Sequence, residues 1–188
     1  MKGLTLIEVL ISIGIAVVIG VLLVAIIVNS AGLYSKESSK LSQGLNTNDA
    51  LLTIRDTIKQ SSAVITVYTS GVNTYTSSGT QIVLKLFSID SSNNLITNTY
   101  DYFIFYTDTN RLRLKTFPDS TSSRKSQDQI FSTSLDNLNF QYFNSASPPV
   151  EVAPGSATKV RVTLSLKQKN GSSIELKTST SEASIRND

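Results

Sequence analysis

The sequence predicts an α+β protein in which one long N-terminal α-helix leads into a mostly antiparallel β-sheet domain. Two patterns support this fold class. The first is an uncharged run from Val9 to Val28, in which only Ser12, Gly14 and Gly20 are not Val, Ile, Leu or Ala. The second is a series of short β-type segments, separated by Ser-, Asn-, Asp- and Gly-rich turns, that fills the chain after residue 62.

Composition argues against several classes of function. The 188 residues carry a net charge of +3 with 16% charged residues, too small an excess to indicate nucleic-acid binding by itself. The chain has no cysteine, and hence no disulfide framework or thiol chemistry, and it has no histidine. The commonest general base and zinc ligand are therefore missing, and no Gly-x-Ser-x-Gly elbow exposes a serine nucleophile. We expect no enzyme, no cofactor and no bound metal.

The apolar run is long enough to cross a membrane as a helix. At about 1.5 Å per residue it matches the roughly 30 Å of a bilayer's hydrocarbon core. Glu8 lies at its leading edge, and a charged side chain inside hydrocarbon costs about 2.5–3.5 kcal/mol, so we expect the carboxylate to have a partner. A cleaved secretory signal has a shorter apolar core and a small-residue cleavage site, which residues 29–32 do not provide. A plain membrane anchor fits the length but leaves Glu8 without a role.

Cleavage after Gly3 would supply that partner. The new amino terminus at Leu4 would lie four residues before Glu8, and the amine of a neighbouring chain would neutralise the carboxylate when helices pack side by side. Small residues favour such packing because they let helix backbones approach closely, although they are common in membrane helices in general. The small residues that continue from Glu8 at every fourth position, on one face of the helix, are Ser12, Ala16 and Gly20.

The N-terminus resembles the processing and assembly signature of type IV pilins and type II secretion pseudopilins, through the residues KGLTLIEVL at positions 2–10. The resemblance implies that a membrane peptidase cuts between Gly3 and Leu4 and methylates the new amine of Leu4. It also implies that Glu8 guides the docking of subunits into a helical filament. Leu4 departs from the usual phenylalanine at the first mature position, and Ala25 stands where many major pilins carry a helix-kinking proline.

The resemblance further implies a pilin-like fold and a sequence of locations. The chain is expected to consist of a leader peptide at 1–3, a transmembrane and assembly helix at 4–30, an amphipathic continuation of the helix at 31–62 and a β-rich globular domain at 63–188. Lys2 favours a cytoplasmic N-terminus. We expect a single-pass protein of the cytoplasmic (inner) membrane that later joins a cell-surface or periplasmic filament. The implied partners are other pilin or pseudopilin subunits, the prepilin peptidase, the inner-membrane assembly platform and, before assembly, the lipid bilayer.

Beyond Val28 the helix is predicted to continue, now amphipathic, to near Ser61. Gly32 and Gly44 each weaken it by up to about 1 kcal/mol relative to alanine, which leaves a bend or break open. The apolar face is expected to pack on the sheet. Its positions, at approximately helical spacing, are Leu33, Leu41, Leu45, Leu51, Leu52, Ile54 and Ile58.

The remaining chain is predicted to form strands and turns. The predicted strands are 63–69, 81–89, 99–107, 111–117, 138–143, 159–167 and 173–180, and Asn170-Gly171 predicts a type I′ turn before the last. Segments 70–80 and 118–129 are predicted loops, and 181–188 a frayed tail. The order of a Leu-x-x-Leu-x-Phe-x-Tyr-Phe strand, a proline loop and a Val-x-Val-x-Leu hairpin is similar to that of the minor subunits called J-type pseudopilins and W-type minor pilins. This second resemblance implies no site residues.

One strand carries a candidate anion-binding face. Arg111, Arg113 and Lys115 alternate along it, with Arg124 and Lys125 nearby in sequence. Such a patch is typical of contacts with DNA or another anionic polymer. An exposed or edge strand kept soluble by charge explains the same pattern, and we favour that interpretation.

Two further clusters have a functional and a structural interpretation. Asp90 with the two asparagines after Ser92, or Asp108 with Asn110, are candidate calcium ligands, but turn chemistry favours the same residues. The tyrosines and phenylalanines of 99–107 would suit either an adhesive surface or, as we favour, a sheet core.

Together these features predict a structural minor pilin or pseudopilin subunit. The alternatives are a filament-tip binding module for DNA or a surface, and a plain single-span membrane-anchored domain. The N-terminal signature is shared by pilus, secretion and competence systems and does not distinguish among them.

Overall fold

The computed structural model describes residues 6–170 and 173–186, without the side chains at position 8, 31–47 and 168–170. The chain divides into two compact units, Met1–Ser42 and Gln43–Asp188. The structure is α+β, with an N-terminal apolar helix and a mostly antiparallel β domain, as the sequence predicts.

One helix, α1, runs from Leu6 to Gln60. It is continuous through Gly32 and Gly44, so neither glycine breaks it. It ends where predicted. The N–H and the hydroxyl of Ser61 both donate to the Ile58 carbonyl, at 3.1 and 2.6 Å, and this tight turn closes the helix before the first strand.

The β domain contains two larger antiparallel sheets and one hairpin. The first sheet has the order β1-β4-β5-β6-β7 and the second β10-β9-β8, while β2 and β3 form the hairpin. The bounds are β1 Ala63–Val64, β2 Val67–Ser70, β3 Asn73–Thr76, β4 Gln81–Ile89, β5 Leu95–Asp108, β6 Arg111–Phe117, β7 Gln127–Ser132, β8 Leu135–Phe143, β9 Lys159–Asn170 and β10 Ser173–Ser184. A short 3₁₀ turn occupies Pro154–Ser156.

The core of the β domain is one apolar cluster. Residues from the last turns of α1 contribute to it at every fourth position, as Ala50, Ile54 and Ile58, each at most 1% exposed. This confirms the predicted apolar face for the two isoleucines, whereas Leu52 is 44% exposed and the prediction is wrong there. The predicted positions at 33, 41 and 45 lie outside the described side chains. The two sheets contribute Ile82, Leu84, Leu86, Phe105, Leu112, Leu114, Leu138, Phe140, Tyr142, Val160, Val162, Leu164 and Leu166.

The predicted loop at 70–80 is wrong because this polar segment forms half of the β2–β3 hairpin. Gly71 takes the left-handed conformation, with φ of 59°, that the tight turn requires. The hairpin packs on the first sheet through aromatic rings. The Tyr68 ring stacks on Tyr102 with centroids 4.1 Å apart, and both Tyr68 and Tyr75 lie 5.5 Å from Phe117. The predicted strand 63–69 is consequently divided between β1 and β2, which belong to different sheets.

Two other predictions about irregular segments are wrong. The predicted loop 118–129 ends early, since β7 begins at Gln127 and pairs with β6. The predicted frayed tail is ordered to residue 186. Ala183 and Ile185 are buried in the core, and the N–H groups of Ile185 and Arg186 bond to the carbonyls of Thr158 and Ser61.

Candidate functional site

The N-terminal part of α1 is an exposed apolar surface. The segment Val9–Ser30 has a mean hydropathy of 3.2, none of it buried, and is long and apolar enough to span a membrane. Every Val, Ile and Leu side chain between positions 6 and 28 is exposed, by 44% at Val9 to 83% at Leu6. A core helix of a soluble protein buries its apolar side chains. Burial of such a side chain stabilises by about 1.5–3 kcal/mol, so this surface strongly favours lipid or other helices over water.

Three small residues of this continuous helix, Ser12, Ala16 and Gly20, lie together on one of its faces. A Cβ added at Gly14 or Gly20 would meet no atom within 4 Å, so contacts with described atoms do not require glycine at either position. Because Gly20 has no side chain, the backbone of α1 is accessible at this position. Gly3 and Leu4 lie outside the described residues, as does the side chain of Glu8, whose backbone belongs to α1.

The predicted anion-binding residues lie on β6, and the structure brings all three to one strand face. Leu112 and Leu114 point to the core, and the charged positions alternate with them. The edge half of the favoured interpretation is wrong, because β6 is hydrogen-bonded to β5 on one side and to β7 on the other. The charges on this strand therefore do not serve to protect an open sheet edge. The exposed half agrees with Arg111, whose side chain is exposed.

Two of the three cations on β6 already have partners. Arg113 forms ion pairs with Asp108 and Asp128, each at 2.9 Å, and their hydrogen bonds raise the pKa of the guanidinium. Lys115 lies over the ring of Tyr75 with Nζ 5.8 Å from its centroid, and the interaction with that tyrosine raises the pKa of Lys115. Arg111 is exposed at the β5–β6 turn. This strand offers an anionic polymer far less free charge than its sequence suggests.

Asp101 is a buried carboxylate that sequence reasoning missed. It lies on β5 with its side chain 0% exposed, on the same strand face as Phe105. Arg124, which the sequence places beside the basic strand, instead donates to Asp101 at 2.6 Å and to the Phe87 carbonyl at 2.6 Å. The other donors to the Asp101 carboxylate are the Ser88 hydroxyl at 2.7 Å, the Asp119 N–H at 2.9 Å and the Ser122 hydroxyl at 2.8 Å.

The Asp101 network joins the loop after β6 to the first sheet. Two of the donors, Asp119 and Ser122, belong to the loop that leads to β7, and Arg124 follows them. The sequence does contain a signal for this site. Asp101 is charged, yet it stands two positions before Phe103 and four before Phe105 on the core-facing side of an alternating strand. A carboxylate in such a position requires a buried partner.

The network makes the stability of the β domain depend on pH. Burial opposes ionisation of Asp101, but the hydrogen bonds outweigh it and hold the pKa of this carboxyl below its ordinary value. Because the unfolded-state pKa is about 3.9, the stabilisation is present above that pH and is lost as the pH falls through the lower folded-state pKa. We expect Asp101→Asn to be less stable than the parent chain at neutral pH and to lose less stability on acidification. Urea unfolding of the full chain in detergent, repeated from about pH 7 to pH 2, measures both slopes, and parallel slopes would contradict this role.

The candidate calcium ligands take part in turn hydrogen bonds. One oxygen of Asp90 accepts from the N–H groups of Ser92 and Asn94, at 2.8 and 2.9 Å, and the other accepts from the Asn94 amide. These bonds lower the pKa of Asp90. Asn93 has φ of 62°, the left-handed conformation that asparagine tolerates in turns. Among the described residues, no group of three or more Asp, Glu, His or Cys is placed to hold a metal ion.

The aromatic residues of β5 pack within the domain. Phe105 is 0% exposed in the core, whereas Tyr102 lies beneath the β2–β3 hairpin on the opposite face. The sheet-core interpretation is confirmed for Phe105, whereas Tyr102 lies outside the core and packs against Tyr68 of the hairpin.

No protein-family model matches the chain, and no curated protein sequence matches it. The pilin resemblance therefore rests on the N-terminal signature at positions 2–10 and on the apolar helix that follows it.

Proposed function

We propose that the chain is a structural subunit of a type IV pilus-like filament or a type II secretion pseudopilus. In this proposal it is a minor pilin or pseudopilin, made as a membrane-inserted precursor, cleaved after Gly3 and methylated at Leu4. It then assembles through its N-terminal helix. The observation that carries the proposal is the exposed apolar surface of Val9–Ser30 on a continuous helix, directly preceded by the KGLTLIE signature.

The same helix surface serves two environments in turn. Before assembly, Val9–Ser30 is anchored in lipid, with Lys2 on the cytoplasmic side and the β domain across the membrane. During assembly the helix leaves the bilayer and its Val, Ile and Leu side chains are buried against neighbouring helices. Both environments are apolar, so the transfer costs little hydrophobic free energy. The small face formed by Ser12, Ala16 and Gly20 lets neighbouring backbones approach closely.

Glu8 distinguishes an assembling subunit from a plain anchor. An unpaired carboxylate at the edge of hydrocarbon is unfavourable, and the Leu4 amine of an adjacent subunit is a partner that exists only after cleavage and only in the assembled state. Assembly is thereby coupled to processing. The Asp101 and Asp90 carboxylates of the β domain accept hydrogen bonds from neighbouring residues of the same chain. This is consistent with a structural role.

Glu8→Ala is expected to impair assembly without affecting membrane insertion, leader removal or folding of the β domain. If the pair offsets the insertion cost of about 2.5–3.5 kcal/mol, its loss lowers incorporation roughly 100-fold. The measurement is the amount of variant subunit in filaments sheared from cells, relative to the amount in membranes. Val17→Leu is the control, since it keeps an exposed apolar side chain on the opposite face of the same helix and should incorporate normally. A normal filament content of Glu8→Ala would exclude the assembly role.

A further inference from the structure

Strand β10 is a long and regular open edge of the second sheet. Its twelve residues pair with β9 in an unbroken register from Ser173–Asn170 to Ser184–Lys159. The other edge of that sheet is protected, because β8 has an irregular register between Leu135 and Asn137 and its Phe140 N–H bonds to the Gly79 carbonyl. Along β10 the residues from 173 to 178 are all exposed. A long edge with neither proline nor bulge is a template for another strand.

The hydrogen-bond pattern shows which main-chain groups of β10 face the open side. The Lys167 N–H donates to the Ser134 carbonyl, away from β10, at 2.8 Å. Lys167 is paired with Leu176, so the main-chain groups of these two residues point away from each other. By alternation, Ile174, Leu176 and Thr178 present their N–H and C=O groups to the open edge.

Two of these positions, Ile174 and Leu176, carry exposed apolar side chains, and opposite charges flank Leu176. Ile174 is 70% exposed and Leu176 is 61% exposed, on one face of the strand. Glu175 and Lys177 lie on the other face, on either side of Leu176. The segment thus has apolar side chains and a charge pair arranged about a single central residue.

We propose that β10 pairs antiparallel with β10 of a second copy of this chain, centred on Leu176. In this register Leu176 lies opposite its own counterpart, and Ile174 lies opposite Thr178 of the other copy. These are hydrogen-bonded pairs, as the direction of the main-chain groups requires. Glu175 lies opposite Lys177 at the non-hydrogen-bonded pairs, where side chains come closest. The two three-stranded sheets become one six-stranded sheet.

Charge selects this register over its neighbours. The main chain also permits a centre at Glu175 or at Lys177. The first places two glutamates opposite each other and the second places two lysines opposite each other, and like charges in directly opposed positions are destabilising. With the centre at Leu176, Glu175 of each copy lies opposite Lys177 of the other, which gives two pairs of opposite charge. The exposed Leu176 side chains of the two copies then lie opposite each other.

The contact is independent of the proposed filament role. A twofold contact closes on itself, so it joins chains in pairs and does not propagate along a filament. It requires neither cleavage after Gly3 nor Glu8. Confinement of both copies to one membrane raises their effective concentration and favours a contact of this small size.

Cysteine cross-linking tests the register in the full chain reconstituted in lipid vesicles. The native chain has no cysteine, so Leu176→Cys introduces a single thiol. A hydrogen-bonded antiparallel pair has Cα atoms about 5.5 Å apart, within the range of a disulfide, so oxidation should give a covalent dimer on a non-reducing gel. Thr180→Cys is the matched control, exposed on the same strand face. In this register it lies about 26 Å from its counterpart, eight residues along the strand, and we expect at least about tenfold less dimer.

Charge reversal decides whether the pairing is specific. In the Leu176→Cys background, Glu175→Lys and Lys177→Glu should each lower the dimer yield. The double reversal, or a mixture of the two single variants, should restore it. Equal yields at positions 176 and 180, parent yields in both single variants, or no recovery in the double variant would each overturn the proposal. The chain that combines Glu8→Ala with Leu176→Cys should still give the dimer, so failure of this contact and failure of the filament role are separate results.

Discussion

Arg124→Met is expected to lower the free energy of unfolding of the β domain by about 3–5 kcal/mol, since it leaves the Asp101 carboxylate buried without its cation. The Asp101 side chain is 0% exposed, whereas that of Arg124 is 20% exposed, so the carboxylate is the buried member of the pair. The serine hydroxyls and the Asp119 N–H remain, but they do not carry the positive charge that compensates for burial. The loop from Asp119 to Arg124 should also lose protection from hydrogen exchange, because it is tied to the sheet through this carboxylate.

The control for this variant is a second arginine ion pair that has the same N–O distance but whose two side chains are more exposed. Arg161 contacts Glu182 at 2.6 Å on the outer face of the second sheet, with both side chains about 40% exposed. Arg161→Met should cost about 1 kcal/mol or less, as exposed ion pairs do. Urea unfolding of the full chain in detergent, followed by tyrosine fluorescence, gives both values. Equal losses would show that burial does not determine the strength of the Asp101 network.

Gly3→Ala is expected to abolish removal of the leader, so that the chain accumulates as an uncleaved precursor. The peptidase of the resembled family cuts after glycine, so we expect it not to accept alanine at this position. The subunit should remain in the membrane and be absent from filaments, because no Leu4 amine forms to pair with Glu8. Gly14→Ala is the matched control. A Cβ at Gly14 meets nothing within 4 Å, so that variant should be processed normally. Unchanged gel mobility of Gly3→Ala relative to the parent would argue against the peptidase.

Much of the fold follows from local sequence patterns. The end of α1 near Ser61 follows from the last helical leucines and isoleucines and the onset of alternation. The antiparallel pairing of β5 with β6 and of β9 with β10 follows from the alternation within these segments, while Gly171 of the predicted type I′ turn lies outside the described residues. Strands β3 and β7 are mostly polar, so they lack the alternation of apolar residues by which a strand is recognised in sequence. They form because they pair with the neighbouring strands β2 and β6.

The candidate functional residues likewise differ in whether sequence alone predicts them. Gly3, Leu4 and Glu8 are recognised from contiguous residues, so sequence alone predicts them. Arg124 and Asp101 are separated by 23 positions, and only the folded sheet shows that they pair. The basic residues of β6 were correctly placed on one face, but the carboxylates that neutralise Arg113 come from two different strands.

If the exposed apolar helix belongs to a processed, assembling subunit, the chain in the membrane has lost its leader. The intact mass of the chain purified from the membranes of cells that produce it tests this. We expect a chain that lacks Met1, Lys2 and Gly3, begins at Leu4 and carries one added methyl group. A chain that retains all three residues in cells with an active prepilin peptidase would contradict it, and the protein would then be a plain membrane-anchored domain.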